Sequence, residues 1–283
     1  MYFGSVKFFK NLLLLVIILA IGTSVGFAIY YHHQLVQVKA TGENRASGTH
    51  PSYASVDTDE IDYQTLYPDF YAPQTYCATD RQVGKIYLTF DGAISSATDD
   101  LLSILSQRNV QATFFLSGTT DTADTEKLKE IAAAGHTIGM SSWSSDYQVL
   151  YNSVESYLAD AYQLFTYIQQ TTGITPTVFR FPGGSVNSYN AGFYRELIAE
   201  MVRRGFVPYD WNINLADQSS SLDVLLDSTM DRLSSMDRAV ILLRSDSFAV
   251  EALPALIDRL QESGFSCDAL HETTKPVLFA YPK

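Results

Sequence analysis

The sequence predicts an α/β protein, a distorted (β/α) barrel of about seven parallel strands that follows an N-terminal transmembrane helix. Two observations predict the barrel. From Lys85 onward, short runs rich in β-branched and aromatic residues alternate with amphipathic stretches of helical period. Those runs are almost continuously apolar, as strands are when helices cover both faces of a parallel sheet. A third observation predicts the transmembrane helix: residues 12–31 contain no Asp, Glu, Lys or Arg.

This uncharged run sets the expected topology of the chain. As a helix it would be about 30 Å long, the thickness of a hydrocarbon core. Lys7 and Lys10 precede it, so we expect residues 1–10 in the cytoplasm, residues 11–31 in the cell membrane as a single-pass anchor, and the C-terminal domain outside the cell. A cleaved signal peptide, with Gly26 and Ala28 as the small residues before the cut, is the alternative.

The polar composition of residues 32–80 predicts a stalk that ends in an N-terminal arm. In this arm the aromatic stretch YQTLYPDFYAP is expected to pack on the domain formed by residues 81–283.

The net charge of the chain is -12. Nucleic acid is therefore excluded as a partner, because binding to its phosphates needs a basic face.

Two cysteines lie on the exported side of the predicted anchor, where disulfides persist. Cys77 precedes the first predicted strand and Cys267 lies in the last, and a barrel brings these two places together. A disulfide between them and two unpaired thiols are both compatible with the sequence, since pairing does not follow from sequence alone.

The barrel domain begins with the predicted strand KIYLTFD, and six further strand-like runs follow: QATFFLSG, HTIGM, TVFRFP, GFVPYDWNI, AVILLR and GFSCDAL. Helical stretches separate them. In the first of these, Leu101, Leu102, Ile104 and Leu105 fall on one face, and Thr98 is suited to cap the helix N-terminus. Later helical stretches stop at glycines, which favour helix ends.

The C-terminal ends of the strands form the face of a parallel barrel that carries function. Polar and charged side chains end or follow five of the predicted strands at this face. In chain order they are Asp91, Ser141 with Ser145, Arg180, Asp217 and Arg244. A single charge at such a place is ordinarily a solvated loop residue, but several that converge on one rim predict a functional cleft.

Five fragments in this order resemble the motifs of the NodB-homology polysaccharide deacetylases, carbohydrate esterase family four: YLTFD, AAAGHTIGMSSWSS, FRFPGGS, YDWNINLADQ and VILLRSDS. The resemblance covers about residues 80 to 283 and implies a NodB-like barrel. It also implies the chemistry of the family, in which a divalent metal, usually zinc, is held by an aspartate and two histidines and activates a water that removes an acetyl group from an amino sugar.

Three functional positions of the family are kept in this sequence. The general base falls on Asp91, the arginine that positions the base falls on Arg180, and the aspartate of the fourth motif falls on Asp217. With Arg244, these residues would balance their charges in an ion network across the barrel mouth.

The remaining functional positions have changed. The metal-binding aspartate falls on Gly92, the two metal-binding histidines fall on Ser141 and Ser145, and the histidine acid falls on Arg244. Glycine has no donor, serine is not among the usual zinc ligands, and arginine cannot release its proton at usable pH. The sequence therefore predicts a pseudoenzyme without a metal cofactor, in which the catalytic positions are relics. His136, the nearest spare imidazole, is interpreted as a core residue.

The leading interpretation is a membrane-anchored, extracytoplasmic deacetylase-like domain that binds a cell-envelope glycan or a protein through the former cleft. Trp143, Phe181, Tyr209 and Trp211 lie near the rim by sequence and are candidates to stack on sugar rings. Packing in the barrel or at its rim is the favoured interpretation, because aromatic residues also dominate ordinary cores.

Two enzymatic alternatives remain. One is an active N-deacetylase of peptidoglycan or a chitin-like glycan that holds zinc or another divalent metal through relocated ligands such as Asp146 or Asp246. The other is a metal-free hydrolase that pairs Asp91 with Asp217. It is disfavoured, because arginines beside both acids would lower their pKa values and leave no proton donor.

Overall fold

The computed structural model describes residues 62–73, 83–216 and 221–279. The strands in this part of the chain are β1 (Lys85–Gly92), β2 (Thr113–Leu116), β3 (Thr137–Met140), β4 (Val178–Phe179), β5 (Val207–Pro208), β6 (Ile213–Asn214), β7 (Arg238–Arg244) and β8 (Ser266–Asp268). The helices are α1 (Asp62–Thr65), α2 (Thr98–Gln107), α3 (Thr122–Ala133), α4 (Tyr147–Leu150), α5 (Val154–Thr172), α6 (Tyr194–Arg203), α7 (Leu222–Leu233) and α8 (Ser247–Glu262).

The predicted anchor, residues 11–31, lies outside the described residues. Among the helices of the described ranges, none is both long enough and apolar enough to cross a membrane.

The strands form one parallel sheet in the order β5-β4-β3-β2-β1-β7-β6, with β8 beside β1. β1 pairs with β7 along one edge, from Lys85 to Asp91. Its other edge is shared: β8 lies beside Lys85–Tyr87 and β2 lies beside Thr89–Gly92. The predicted α/β class with a parallel sheet is therefore confirmed, with β1 at its centre.

The sheet is a curled half-barrel and not the closed barrel that the sequence suggests. Its two ends are β5 and β6, which are not paired with each other in the described part of the chain. The predicted strand GFVPYDWNI is in fact two strands, and residues 209–212 between them cross from one end of the sheet to the other. Pro208 helps to explain the break, because proline has no N–H to donate to a further strand and so favours an edge. The described sheet therefore has eight strands.

The C-terminal segment covers this opening. The backbone N–H of Asp210 donates to the carbonyl of Val277 at 2.7 Å. Arg238 at the start of β7 donates through its guanidinium to the carbonyls of Lys275 and Pro276 at 2.6 and 3.3 Å. The last described residues thus pair the backbone N–H of Asp210, and the side chain of Arg238 holds them in place.

Alternate side chains of the strands fill two cores. On β1, Ile86, Leu88 and Phe90 point toward the helices and join the larger core. Tyr87 points to the other side, where it joins Phe115 and other residues inside the curled sheet. Because successive side chains of a strand point to opposite faces, a continuously apolar strand serves both cores.

The helix after β1 starts differently from the prediction. The sequence favours Thr98 as its cap, but the N-cap is Ala97 and no side chain caps the helix. The Oγ1 of Thr98 instead accepts a hydrogen bond from the N–H of Ser95 at 3.1 Å. The predicted apolar face is present, with Leu101 and Leu105 fully buried.

Residues 62–73 pack on the domain as an N-terminal arm. Phe70 is fully buried and belongs to the larger core. Arg204, also fully buried, pairs with Glu200 at 2.6 Å and donates to the carbonyls of Leu66 and Tyr67 at 2.8 and 3.0 Å. A buried arginine needs such partners for its donors, and the arm supplies several of them.

Candidate functional site

Arg180 is the centre of the polar interior. It follows β4, and its side chain is fully buried inside the curled sheet. The Nη1 group donates to Asp91 Oδ1 at 2.7 Å and to Thr89 Oγ1 at 2.9 Å. The Nε and Nη2 groups donate to the carbonyls of Tyr209 and Asp210 at 2.8 and 3.1 Å. The guanidinium therefore links β4 to β1 and fixes the carboxylate of Asp91.

The guanidinium also lies over an aromatic ring. Its carbon is 4.2 Å from the ring centroid of Phe115, within the range of a cation–π contact. Such a contact compensates part of the cost of burying the charge of Arg180. The positioning role that the motif resemblance implies for this arginine stays a prediction.

Asp91 lies at the end of β1 with its side chain 27% exposed. Burial raises the pKa of Asp91, although the nearby charges of Arg180 and Arg244 lower it. This result contradicts the expectation that adjacent arginines hold the pKa of this acid down. The physical reason is that the loss of water around the carboxylate outweighs the attraction of the two cations.

Arg244 is the register partner of Asp91 on the neighbouring strand β7. Its side chain is exposed at the rim, and it forms no ion pair within 4.0 Å with any residue in the described ranges. Arg180 is therefore the partner of Asp91 in the described ranges, and the predicted ion network, which also needs Asp217, stays a prediction because Asp217 lies outside them.

The C-terminal ends of the strands enclose a cleft of about 770 Å³. Its walls are formed by Asp91, Gly92, Ala93, Ser117, Gly118, Ser141, Ser142, Trp143, Ser145, Tyr147, Pro182, Gly183, Trp211, Asn214, Ala216, Leu242 and Arg244. The structure thus brings Asp91 and Arg244 to one cleft together with Gly92, Ser141 and Ser145, the three positions on which the motif resemblance places the family's metal ligands. Arg180 lies beneath them, bound to Asp91.

The residues at the three ligand positions do not fit a metal with the family's coordination. Ser141 is nearly buried at 9% exposure and Ser145 is exposed, and each offers only a neutral hydroxyl. Gly92 offers no side chain, and its φ of +114° is a conformation that L-amino acids with a Cβ rarely adopt. Among the described residues, no group of three or more His, Cys, Asp or Glu is placed to hold a metal ion.

The acids considered as relocated ligands are used elsewhere. Asp146 accepts hydrogen bonds from Gln148 N and Val149 N at the start of α4, and Asp246 accepts one from Ala249 N at the start of α8. Both are helix caps, and neither lines the cleft. Nothing in their placement favours a relocated metal site.

His136 is a core residue, as its sequence position suggested. It is 7% exposed, and its Nδ1 accepts a hydrogen bond from Ala112 N at 3.2 Å. Burial lowers its pKa, so the neutral ring is favoured.

The four aromatic residues that the sequence offers as candidates for sugar stacking divide into two pairs. Trp143 and Trp211 line the cleft. Phe181 and Tyr209 are each 1% exposed and belong to the core, in line with the favoured interpretation of packing and not with contact to a glycan. Phe181 packs against Phe179, and Tyr209 lies inside the curled sheet. The two rings thus fill cores on opposite sides of the sheet.

The loop after β3 is held in a defined position. Asp160 of α5 accepts hydrogen bonds from Trp143 N and Ser144 N, both at 2.7 Å. The ring of Trp143 lies against Gly118, where an added Cβ would come within 2.1 Å of the ring. Only glycine at position 118 leaves room for the indole beside the cleft.

Sequence reasoning missed Asp210. This carboxylate is 1% exposed and accepts hydrogen bonds from Ser185 N, Ser185 Oγ and Phe279 N at 2.8, 2.5 and 2.6 Å. Burial raises its pKa. It ties the loop after β4 to the C-terminal segment, where Phe279 contacts Trp211 edge to face at 4.8 Å. A signal was available, because Asp210 directly follows an apolar run, as Asp91 does.

Two residues of the predicted site and disulfide, Asp217 and Cys77, lie outside the described residues. Their roles as a relict catalytic residue and as a disulfide partner of Cys267 stay predictions. Cys267 itself lies in β8 beside Ile86 of β1, and burial raises its thiol pKa to about 11.

Comparison with known proteins identifies the family. The sequence profile of the polysaccharide deacetylase family matches residues 78–205. A putative polysaccharide deacetylase of Bacillus subtilis (strain 168), YheN, is 30% identical over 198 residues, which cover 68% of this chain and 69% of the relative. This chain therefore belongs to the polysaccharide deacetylase family and contains a NodB-type, carbohydrate esterase family four domain.

Solved structures agree with this assignment. The catalytic domain of a peptidoglycan N-acetylglucosamine deacetylase from Eubacterium rectale superposes with a TM-score of 0.68 at 28% identity, covering 74% of this chain and 98% of that domain. A carbohydrate esterase family four pseudoenzyme from Bacillus anthracis gives a TM-score of 0.58 at 21% identity, covering 70% of this chain and 68% of its own. The second likeness shows the fold alone.

Proposed function

We propose that this protein is a membrane-anchored, extracytoplasmic member of the polysaccharide deacetylase family that binds a cell-envelope glycan and does not carry out metal-dependent deacetylation. The observation that carries the proposal is Gly92. It stands at the end of β1 beside the base position Asp91, has no side chain, and has a φ of +114°. With Ser141 and Ser145 in the same cleft, none of the three positions supplies a usual zinc ligand.

The acid–base chemistry of the cleft also supports binding over catalysis. Arg244 occupies the position of the family's acid, and a guanidinium does not release a proton at usable pH. Asp91 is held by Arg180. As a base it would need a water that a metal activates, and the three ligand positions of the cleft supply no usual metal ligand. These residues can orient a bound sugar, but they offer no complete route for amide hydrolysis.

The remaining cleft residues suit a glycan. The hydroxyls of Ser117, Ser141 and Ser145 and the amide of Asn214 can donate to and accept from sugar hydroxyls. Trp143 and Trp211 add apolar ring surfaces. Few charged groups and several neutral hydrogen-bonding groups are the composition expected for an uncharged saccharide.

The substrate class and location come from the relatives and the N-terminal sequence. The Eubacterium rectale relative acts on peptidoglycan, so peptidoglycan or a chitin-like glycan is the ligand we propose. The uncharged run 12–31, preceded by Lys7 and Lys10, supports a single-pass anchor with the domain outside the cell. A cell-envelope protein is the other partner that such a location would offer.

The test combines metal content, activity and binding on the purified full chain. We expect less than stoichiometric zinc, cobalt or nickel, no acetate release from N-acetylglucosamine oligomers or peptidoglycan strands, and measurable binding of at least one of these glycans. One bound metal per chain together with metal-dependent acetate release would refute the proposal.

The comparison variant carries Gly92→Asp, Ser141→His and Ser145→His, which restore the family's donor types. We expect this variant to take up zinc where the natural chain does not. We also expect it to lose about 1–2 kcal/mol of stability, because a residue with a Cβ at position 92 must either adopt the positive φ of Gly92 or shift the backbone.

A further inference from the structure

A second recess adjoins the cleft, and Trp143 forms a wall of both. The recess is a groove of about 400 Å³ along α5, lined by Trp143, Tyr162, Gln163, Thr166, Tyr167 and Gln170. One indole therefore borders both spaces, so the groove is the recess next to the cleft on the side of Trp143.

The groove side of α5 has an unusual composition for a surface helix. Residues 161–172 contain no Asp, Glu, Lys or Arg, in a chain whose net charge is -12. Gln163, Thr166, Tyr167 and Gln170 follow the i, i+3, i+4, i+7 spacing that places them on one stripe, and both glutamines are exposed. The stripe therefore presents amides, a hydroxyl and an aromatic ring to solvent, without a charge.

This chemistry matches a neutral saccharide. A carboxamide both donates and accepts hydrogen bonds, as sugar hydroxyls and acetamido groups do. The ring surfaces of Trp143 and Tyr167 supply apolar area for the C–H face of a pyranose. A charged peptide or an acidic polymer would find no ion-pair partner among the six lining residues.

The aromatic wall is preorganised. The N–H of Trp143 is fixed by Asp160 at 2.7 Å, and the rings of Trp143 and Tyr167 meet edge to face at 5.5 Å. The hydroxyl of Tyr167 is 3.0 Å from Thr125 Oγ1 on α3. Side chains that are already ordered lose little entropy when a ligand binds.

We propose that this groove is a second sugar subsite, which receives the continuation of an uncharged chain of N-acetylated amino sugars whose first units occupy the cleft. This inference rests on the proposed glycan-binding function and adds to it the path and the minimum length of the ligand. The protein then distinguishes a polysaccharide from a short fragment by the part of the chain that passes Trp143.

The test measures the affinity of the full chain for the dimer and the hexamer of N-acetylglucosamine by titration calorimetry. We expect the hexamer to bind at least about tenfold more tightly than the dimer. The double variant Gln163→Ala, Gln170→Ala should lose about tenfold in hexamer affinity and leave dimer affinity unchanged, since two neutral hydrogen bonds of typical strength correspond to that factor. Gln169→Ala, an exposed glutamine of α5 outside the groove, is the matched control and should change neither affinity.

Each outcome separates the two proposals. Equal binding of dimer and hexamer, as would result if another segment of this chain filled the groove, overturns the second subsite and leaves glycan binding in the cleft intact. A hexamer affinity that the double variant does not lower has the same meaning. Absence of binding by both oligomers overturns the cleft function and the subsite together.

Discussion

Arg180 and Arg244 each follow or end a strand of the same sheet, but their surroundings are opposite. Arg180 is fully buried and pairs with Asp91, whereas Arg244 is exposed at the cleft. The cost of removing a buried ion-pair partner is high, because the remaining charge is left without compensation in a poorly solvated place. A solvated arginine contributes little.

This difference predicts a contrast in stability. Arg180→Ala should lower the free energy of unfolding by about 3–5 kcal/mol, since it leaves Asp91 and two carbonyls without their donor. Arg244→Ala is the matched control and should change it by about 0.5 kcal/mol or less. Chemical denaturation of both variants provides the measurement. A large loss for Arg244→Ala would instead indicate an ion network at the rim.

At the scale of elements, His136 connects the starts of two neighbouring strands. It precedes β3, and its Nδ1 accepts the N–H of Ala112, which precedes β2. The ring can accept this hydrogen bond only while Nδ1 carries no proton. Burial lowers the pKa of His136 in the folded protein, whereas the unfolded value is about 6.5.

The sign of the resulting pH dependence follows from linkage. The contribution of a histidine with a lowered folded pKa is fully present above the unfolded pKa, and it is lost as the pH falls from about 6.5 toward the folded value. We expect acidification from about pH 7.5 to 5.5 to destabilise the natural protein more than His136→Gln, measured by urea midpoints at both pH values. The raised pKa values of Asp91, Asp160 and Asp210 have the opposite effect and favour the folded state as the pH falls. Because both proteins contain these three acids, their effect cancels when the two pH responses are compared. Identical pH responses would show that His136 does not titrate on unfolding.

At the scale of the whole molecule, the N-terminal arm belongs to the folded domain. Phe70 packs against Phe206, Phe165 and Tyr162 with ring centroids 4.8, 5.1 and 5.7 Å apart. Arg204 is neutralised by Glu200 and also donates to carbonyls of the arm. The arm, residues 62–73, is thus part of the core of the domain.

The arm predicts a second stability contrast. Phe70→Ala should cost about 3–5 kcal/mol, because it leaves a cavity among three aromatic rings. The adjacent Tyr71 is 38% exposed, and Tyr71→Ala should cost about 1 kcal/mol or less. Thermal or chemical unfolding of the two variants tests this. Similar small losses for both would mean that the arm docks without contributing to the core.

The sequence alone determined the class of fold and the family. Strand ends such as Asp91, Arg180 and Arg244 could be read from it, because an apolar run and the polar residue that ends it are local features. The expected replacements of metal ligands at Gly92, Ser141 and Ser145 also come from the motif frame alone, and they stay a prediction. The predicted alternation of strands and helices is confirmed. The periodicity that indicates each element is also a local feature of the sequence.

Only the tertiary structure decided which of these residues face the cleft. Strand alternation shows that neighbours point to opposite sides, but not which side lies inside the curled sheet. This is why the sequence left both packing and ligand contact open for the four rim aromatics, of which Phe181 and Tyr209 prove to be buried. The burial of Arg180, the exposure of Arg244, the break between β5 and β6 and the groove beyond Trp143 all depend on how the sheet curls, and the curl arises from packing between residues far apart in the chain.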